Sequence, residues 1–250
     1  MKTIASTALP AHVQQPRYDR EQLRSRIVHF GFGAFHRAHQ ALLTNRVLNA
    51  RGGDWGICEI SLFSGDVLMG QLRAQDHLFT VLEKGAEGNQ PIIIGAVKEC
   101  LNAKLDSLAA IIEKFCEPQV AIVSLTITEK GYCIDPATGK LDMQNSRILH
   151  DLEHPSEPHS APGILVEALH RRRERGLPAF TVLSCDNIPD NGHVVKNAVL
   201  GMAGKRSAEL AGWIEAHVSF PGTMVDRIVP AATDASLAEI TQELGVEDPC

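Results

Sequence analysis

The sequence lacks the features that mark disulfide-rich and membrane-spanning proteins. Its six cysteines include no C-x-x-C pair and are irregularly spaced, which favours reduced, mostly buried thiols over a disulfide framework. No apolar run approaches the length of a membrane span. Residues 1–17 lack the apolar stretch of a signal peptide. We therefore expect a cytoplasmic protein.

Long tracts of positive charge are also missing. Acidic residues outnumber basic ones by 30 to 24, which gives a net charge of −6 and argues against nucleic acid as a partner. The one basic triplet, at 171–173, lies in a helical pattern beside Glu167 and Glu174, and we expect it to form a solvated helix face. With 250 residues, 44% of them hydrophobic, the chain can bury the core of one large or two small domains.

Several nucleotide-dependent designs are excluded by missing motifs. Short-chain dehydrogenases need Tyr-x-x-x-Lys, but Tyr18 and Tyr132 are followed at that spacing by Gln22 and Pro136. The sequence has no G-x-x-x-x-G-K phosphate loop. The scattered cysteines do not supply the ligand set of a zinc alcohol dehydrogenase.

The most informative segment that is present runs from Ile27 to Gln40, IVHFGFGAFHRAHQ. It reads as a buried strand, a glycine-rich turn and the start of a helix, the order that a dinucleotide pyrophosphate requires. The first glycine allows a tight turn and the second lets the backbone approach the phosphates. His36 replaces the third glycine of G-x-G-x-x-G, so the glycines alone are equally typical of an ordinary strand–helix turn.

Strand-like and helical segments alternate along the rest of the chain. This alternation predicts an α/β fold, a Rossmann-like, doubly wound and mostly parallel sheet. Strand candidates at 78–83 and 91–100, separated by a polar turn, predict a small β insertion. Residues 135–162 are expected to form a long excursion, and 224–229 a last short strand. We expect a leader at 1–25 and a cofactor domain over 26–250.

Four motifs in order resemble the mannitol dehydrogenase family of polyol and hexuronate dehydrogenases, particularly its fructuronate reductase branch. They are GFGAFHRAHQ at 31–40, TITEKGY at 126–132, SCDNIPDNG at 184–192 and FPGTMVDRIVP at 220–230. The resemblance implies hydride transfer between NAD(H) and a secondary alcohol of a sugar acid or polyol, either fructuronate/mannonate or mannitol/fructose. The family's helical catalytic domain, with a K-x-x-x-x-N-x-x-H motif, has no counterpart in these residues.

The resemblance implies a set of cofactor contacts. They come from the glycine turn, the helix after it and the loops after two later strands: Gly31, Gly33, Phe35, His36, Arg37, Asp66 and Thr126. Glu59 is an alternative to Asp66 for the adenosine ribose, and Glu129 an alternative to Thr126 near the nicotinamide. No arginine lies close to Asp66, the nearest downstream being Arg73, which favours NAD over NADP.

Two further residues are implied to act on the substrate. Asn187 would donate a hydrogen bond to the substrate oxygen as it gains alkoxide character, and Asp226 would contact substrate hydroxyls. Each has a plainer interpretation: a helix-capping turn at Asp186 and Asn187, and an ion pair between Asp226 and an arginine such as Arg227.

No metal site is expected. His36 and His39 lie about one helical turn apart, but no third ligand is evident in the sequence. The resulting hypothesis is an NAD-dependent oxidoreductase whose partners are a small sugar acid or polyol and a chain or domain that supplies the catalytic lysine. The alternatives are a truncated, non-catalytic NAD-binding module and, more remotely, a nucleotide-sensing regulatory domain.

Overall fold

A computed structural model describes residues 3–62, 64–86, 88–225 and 227–250. The strands are β1 (Arg24–Phe30), β2 (Trp55–Ser61), β3 (Phe79–Gly85), β4 (Gly88–Ile94), β5 (Val97–Asn102), β6 (Ile122–Leu125), β7 (Ile134–Asp135), β8 (Lys140–Leu141) and β9 (Thr181–Ser184). The helices are α1 (Ala34–His36), α2 (Leu42–Arg51), α3 (Asp66–Ala74), α4 (Leu108–Phe115), α5 (Thr128–Gly131), α6 (Ser146–Glu153), α7 (Ala161–Glu174), α8 (Asn191–Arg206), α9 (Ala208–His217) and α10 (Asp234–Leu244).

The chain divides into two compact units. Unit 1 comprises residues 1–26, 32–105 and 227–250, and unit 2 comprises 27–31 and 106–226. The parallel strands follow the hydrogen-bonding order β5-β2-β1-β6-β9. Among the helices of the described residues, none has the length and apolar character that a membrane crossing requires.

Unit 1 combines a parallel strand pair with an antiparallel hairpin. Strand β2 pairs in parallel with β5, and α3 packs against β5. Strands β3 and β4 form the hairpin, which confirms the predicted insertion. The second predicted strand, 91–100, is divided in the structure: the hairpin strand β4 ends at Ile94, and residues 97–102 form β5, which pairs with β2. The predicted leader packs in this unit, where Ile4 and Val13 join a buried cluster with Leu244.

The helix that follows the glycine turn exposes a different face from the one expected. The helical pattern over 36–50 predicts that Ala38, Leu42, Leu43 and Val47 face the sheet. Leu42 is fully buried and Leu48 almost so, but the side chains of Leu43 and Val47 are exposed. Residues 37–41 form a π-helical turn between α1 and α2. One extra residue in a turn shifts the helical phase by roughly 100°, which moves the buried stripe off the positions that an unbroken 3.6-residue period predicts.

In unit 2, the last residues of β1 (Ile27–Phe30) pair in parallel with β6, and β6 pairs in parallel with β9. Helix α7 packs against α4 and α8, and α8 contacts β9. The excursion at 135–162 carries structure that was not predicted, the β7–β8 hairpin and α6. No disulfide joins any of the six cysteines, and five of them are buried.

Candidate functional site

Three loops of unit 2 begin at neighbouring strand ends. Phe30, Leu125 and Ser184 are aligned partners at the last positions of β1, β6 and β9. Gly31, Thr126 and Cys185 therefore leave the same edge of this part of the sheet. The carboxyl edge of parallel strands is where open α/β sheets bind ligands.

Gly31 is held in a conformation and at a distance that a side chain would not fit. Its φ is +104°, and a Cβ atom placed on it would lie 2.2 Å from the carbonyl oxygen of Thr126. The Thr126 hydroxyl donates to the Gly31 carbonyl at 2.9 Å, and the Thr126 amide donates to the Phe30 carbonyl at 2.9 Å. Thr126 therefore fixes the glycine turn.

His29, which sequence reasoning did not select, lies beneath this turn. Its side chain is fully buried in β1, with Nε2 3.0 Å from the Gly31 carbonyl oxygen and 2.9 Å from Thr126 Oγ1. Its Nδ1 is 2.7 Å from Ser124 Oγ. A histidine among the apolar residues Ile27–Phe30 was the signal in the sequence, because a buried imidazole needs polar partners.

Gly33 leads directly into the helix. It is exposed and extended, with φ −85° and ψ 168°, and occupies the N-cap position of α1. Its carbonyl accepts from the Arg37 amide at 3.1 Å. The amide groups of the first turn have no intrahelical acceptors, so this helix start has the donors that an anion requires.

The side chains of Phe35, His36 and Arg37, the next three predicted cofactor contacts, make different contacts in unit 1. Phe35 stacks on His39 with ring centroids 5.0 Å apart, and the Arg37 guanidinium lies 5.4 Å above the ring of Phe32. His36 is fully buried, with Nε2 2.7 Å from Glu59 Oε1. Burial, with the charges of His39 and Arg37, lowers the pKa of His36 to about 3. Because the imidazole is neutral near pH 7, its contact with Glu59 is a hydrogen bond between buried groups and not an ion pair.

Asp66 remains available for the ribose role, because Glu59 is buried and used by His36. Asp66 is the first residue of α3, and its Oδ1 accepts from Lys104 Nζ at 2.9 Å. That hydrogen bond lowers the pKa of Asp66. Arg73, the nearest arginine in sequence, instead donates to the Cys100 carbonyl at 2.7 Å. The cation beside Asp66 thus comes from a residue that follows β5, which sequence proximity did not reveal.

Asn187 is exposed and follows the buried Asp186. The capping interpretation of these two residues is wrong, because α8 begins only at Asn191 and its N-cap is Asp190. Asp186 instead accepts hydrogen bonds from the amides of Ile127 and Thr128, at 3.1 and 2.9 Å. The asparagine amide is thereby presented from a fixed backbone.

Asp226 lies outside the described residues. Its neighbour Arg227 donates to Glu83 Oε1 at 2.5 Å. The strand predicted at 224–229 is not formed at 224–225 or 227–229. The side chains of Met224 and Ile228 are 95% and 94% exposed to solvent, so they are not packed as they would be in a buried strand.

A groove of about 1090 Å³ lies within unit 1. The β3–β4 hairpin, residues 227–237 and Arg37 line it. Its charged side chains are largely paired, with Arg227 bonded to Glu83, and Lys84 bonded to Glu239. Among the side chains that line the groove, the cations Arg37, Lys84 and Arg227 outnumber the one carboxylate, Glu83.

Comparison with known proteins identifies the relatives of this chain. A family model described as the mannitol dehydrogenase Rossmann domain matches residues 25–250. The chain is 85% identical over its full length to the uncharacterized oxidoreductase YeiQ of Escherichia coli (strain K12), of which it covers 51%. It is 56% identical, again over its full length, to the D-mannonate oxidoreductase of the same organism, of which it covers 51%.

A solved structure is similar along nearly the whole chain. It is the Pseudomonas fluorescens mannitol 2-dehydrogenase in ternary complex with NAD and D-mannitol, at 45% identity and a TM-score of 0.92, with 96% of this chain and 49% of that one covered. These matches confirm the predicted Rossmann-like fold. The chain spans about half the length of the curated relatives it matches.

Proposed function

Because the chain belongs to the mannitol dehydrogenase family, we propose that it binds NAD(H) for hydride transfer to or from a secondary alcohol of a sugar acid or polyol. The observation that carries this proposal is Gly31. Its positive φ and the 2.2 Å approach of the Thr126 carbonyl to a Cβ position leave a turn without a side chain at the sheet edge. Such a turn is what close approach of a pyrophosphate to the backbone requires.

The positions of the described residues support the proposed cofactor contacts. Gly31 and Gly33 offer the backbone, and the helix that starts at Ala34 offers free amides and a partial positive charge to the pyrophosphate. Phe35, His36 and Arg37 lie at the beginning of that helix, and we assign them to the same phosphate region. The buried bond from His36 to Glu59 keeps this segment in place.

Asp66 and Thr126 complete the proposed cofactor contacts. Asp66 is exposed enough to accept from the adenosine ribose hydroxyls, with Lys104 holding its carboxylate. The preference for NAD over NADP is supported by the solved neighbour at 45% identity, which is a complex with NAD. Thr126 acts through the turn, because its hydroxyl is bonded to the Gly31 carbonyl.

Bound nicotinamide supplies the hydride acceptor or donor. The chain's own contribution is to polarise and orient the substrate. We propose that Asn187, exposed on a fixed loop, donates its amide hydrogen to the substrate oxygen. A preorganised neutral donor stabilises that oxygen most when its negative charge develops. We assign Asp226 to the orientation of substrate hydroxyls.

Among substrates, fructuronate or mannonate is proposed first and mannitol or fructose second. The 56% identical relative is named for mannonate, and the solved neighbour at 45% identity holds mannitol. A second candidate function is a non-catalytic NAD-binding module. Substrate additions to the NADH complex distinguish it from a complete catalyst.

A titration of the chain with NADH and NADPH tests the proposal. We expect NADH to bind with energy transfer from Trp55 and Trp213, and NADPH to bind at least about tenfold more weakly, a difference of about 1.4 kcal/mol. Fructuronate and then fructose are added to the NADH complex while the absorbance of reduced cofactor is followed. Binding without oxidation identifies the module, and oxidation identifies a complete catalyst. Failure of both cofactors to bind contradicts the proposal.

A further inference from the structure

The buried carboxylate of Asp186 organises two loops of unit 2 at once. Besides the amides of Ile127 and Thr128, it accepts from the hydroxyl of Tyr132 at 2.6 Å. The same hydroxyl is 2.7 Å from Ser184 Oγ. One side chain after β9 therefore satisfies three donors from the segment that follows β6.

The segment held in this way contains a strained residue. Thr128 has φ +63°, a conformation that is strained for a branched residue and persists only where the surroundings enforce it. Two hydrogen bonds from consecutive amides to one carboxylate provide that enforcement. Tyr132 is almost fully buried. Burial and the neighbouring Asp186 raise its pKa, so the phenol stays a donor.

A second side chain anchors the Asp186 loop on its other side. Asn191 Nδ2 donates to the Asp186 carbonyl at 3.0 Å and to Thr223 Oγ1 at 2.8 Å, while its Oδ1 accepts from the Thr223 amide at 2.9 Å. A Cβ on Gly192 would meet the Phe220 carbonyl oxygen at 2.8 Å. The loop that carries Asp186 is thus fixed before it acts on the 126–131 segment.

We propose that Asp186 is a positioning residue for the nicotinamide half of the cofactor, acting by holding residues 126–131 in their strained conformation. This inference rests on the proposed NAD(H) binding. In a doubly wound sheet, the first mononucleotide-binding half takes the adenosine side and the second half takes the other nucleotide. Strands β6 and β9 belong to the second half, so the loops joined by Asp186 face the nicotinamide and not the adenosine.

The test compares two ligands that differ by the nicotinamide ring. Calorimetric titrations with NADH and with ADP-ribose are run on the full chain and on Asp186→Asn. The variant keeps the size of the side chain but replaces an acceptor-only carboxylate with an amide. Because the lost hydrogen bonds to the carboxylate are charge-assisted and therefore strong, we expect NADH affinity to fall about tenfold or more, with ADP-ribose affinity unchanged.

Asp190→Asn is the matched control. Asp190 lies on the same loop, is exposed, and sits at φ +51°, a region that asparagine tolerates, so both affinities should remain at the wild-type values. Tyr132→Phe removes one of the hydrogen bonds to Asp186, and we expect a smaller loss of NADH affinity with no loss for ADP-ribose.

The outcomes separate this inference from the proposed function. If wild-type protein binds neither ligand, both are overturned. If wild-type protein binds both ligands and Asp186→Asn binds NADH normally, or loses both affinities equally while still folded, the positioning role alone is overturned. If Asp186→Asn does not fold, Tyr132→Phe decides: selective loss of NADH affinity supports the role, and unchanged affinity overturns it.

Discussion

Replacing Gly31 with alanine is expected to abolish measurable NADH binding and to destabilise the chain. The new Cβ would lie 2.2 Å from the Thr126 carbonyl oxygen, and φ +104° is strained for any L side chain. Backbone atoms cannot yield as a flexible side chain can, so the turn and the Thr126 loop must move apart. We expect NADH affinity to fall by at least about 100-fold, roughly 3 kcal/mol, in a calorimetric titration.

Gly53→Ala separates steric overlap from backbone strain. Gly53 has nearly the same φ, +109°, but no atom within 4 Å of its Cβ position. This control should lose about 1 kcal/mol of stability from strain alone and retain wild-type NADH affinity. Normal NADH binding by Gly31→Ala would show that the glycine turn is not the phosphate site.

Arg172→Met is expected to reduce the free energy of unfolding by about 3–5 kcal/mol, because each buried carbonyl that loses its donor costs about 1–3 kcal/mol. The Arg172 side chain is completely buried in unit 2 and 5.5 Å from the Phe180 ring. Its guanidinium donates to four backbone carbonyls at 2.7–3.2 Å, those of Phe115, Glu117, Val120 and Pro178. Methionine fills the space of the stem and leaves these acceptors without their donor.

Urea unfolding followed by circular dichroism measures the effect, with Arg173→Met as the control. Arg173 is the next residue on α7, and its guanidinium pairs at the surface with Glu209. An exposed pair of this kind contributes about 0–1 kcal/mol. Equal losses for the two variants would contradict the assignment of Arg172 as a buried anchor.

Arg172 also shows a limit of the sequence. The triplet 171–173 was expected to be a solvated face. Arg173 does pair with the exposed Glu209, but Arg171 pairs with both the half-exposed Glu113 and the buried Glu167. Arg172 differs because the loop between α4 and β6 leaves carbonyls that need a donor. That demand comes from backbone far away in sequence, and the helical pattern around Arg172 does not contain it.

Local features were predictable for a physical reason. The glycine turn at Gly31, the alternation of strands and helices and the 79–94 hairpin depend on neighbouring residues, whose periods and turn preferences are written in the sequence. Long-range pairings were not predictable. Examples are the Lys104–Asp66 contact, the His36–Glu59 contact and the hydrogen bond from the Thr128 amide to the Asp186 carboxylate. Each joins segments that only the folded sheet brings together.

Hydrogen–deuterium exchange of the chain with and without saturating NADH tests the central claim most directly. The account predicts slower amide exchange at 31–37, on the glycine turn and helix start, and at 126–132 and 185–187, on the loops after β6 and β9. Protection confined to other parts of the chain, or NADH binding with unchanged exchange in all three segments, would contradict the assignment of these loops as the cofactor site.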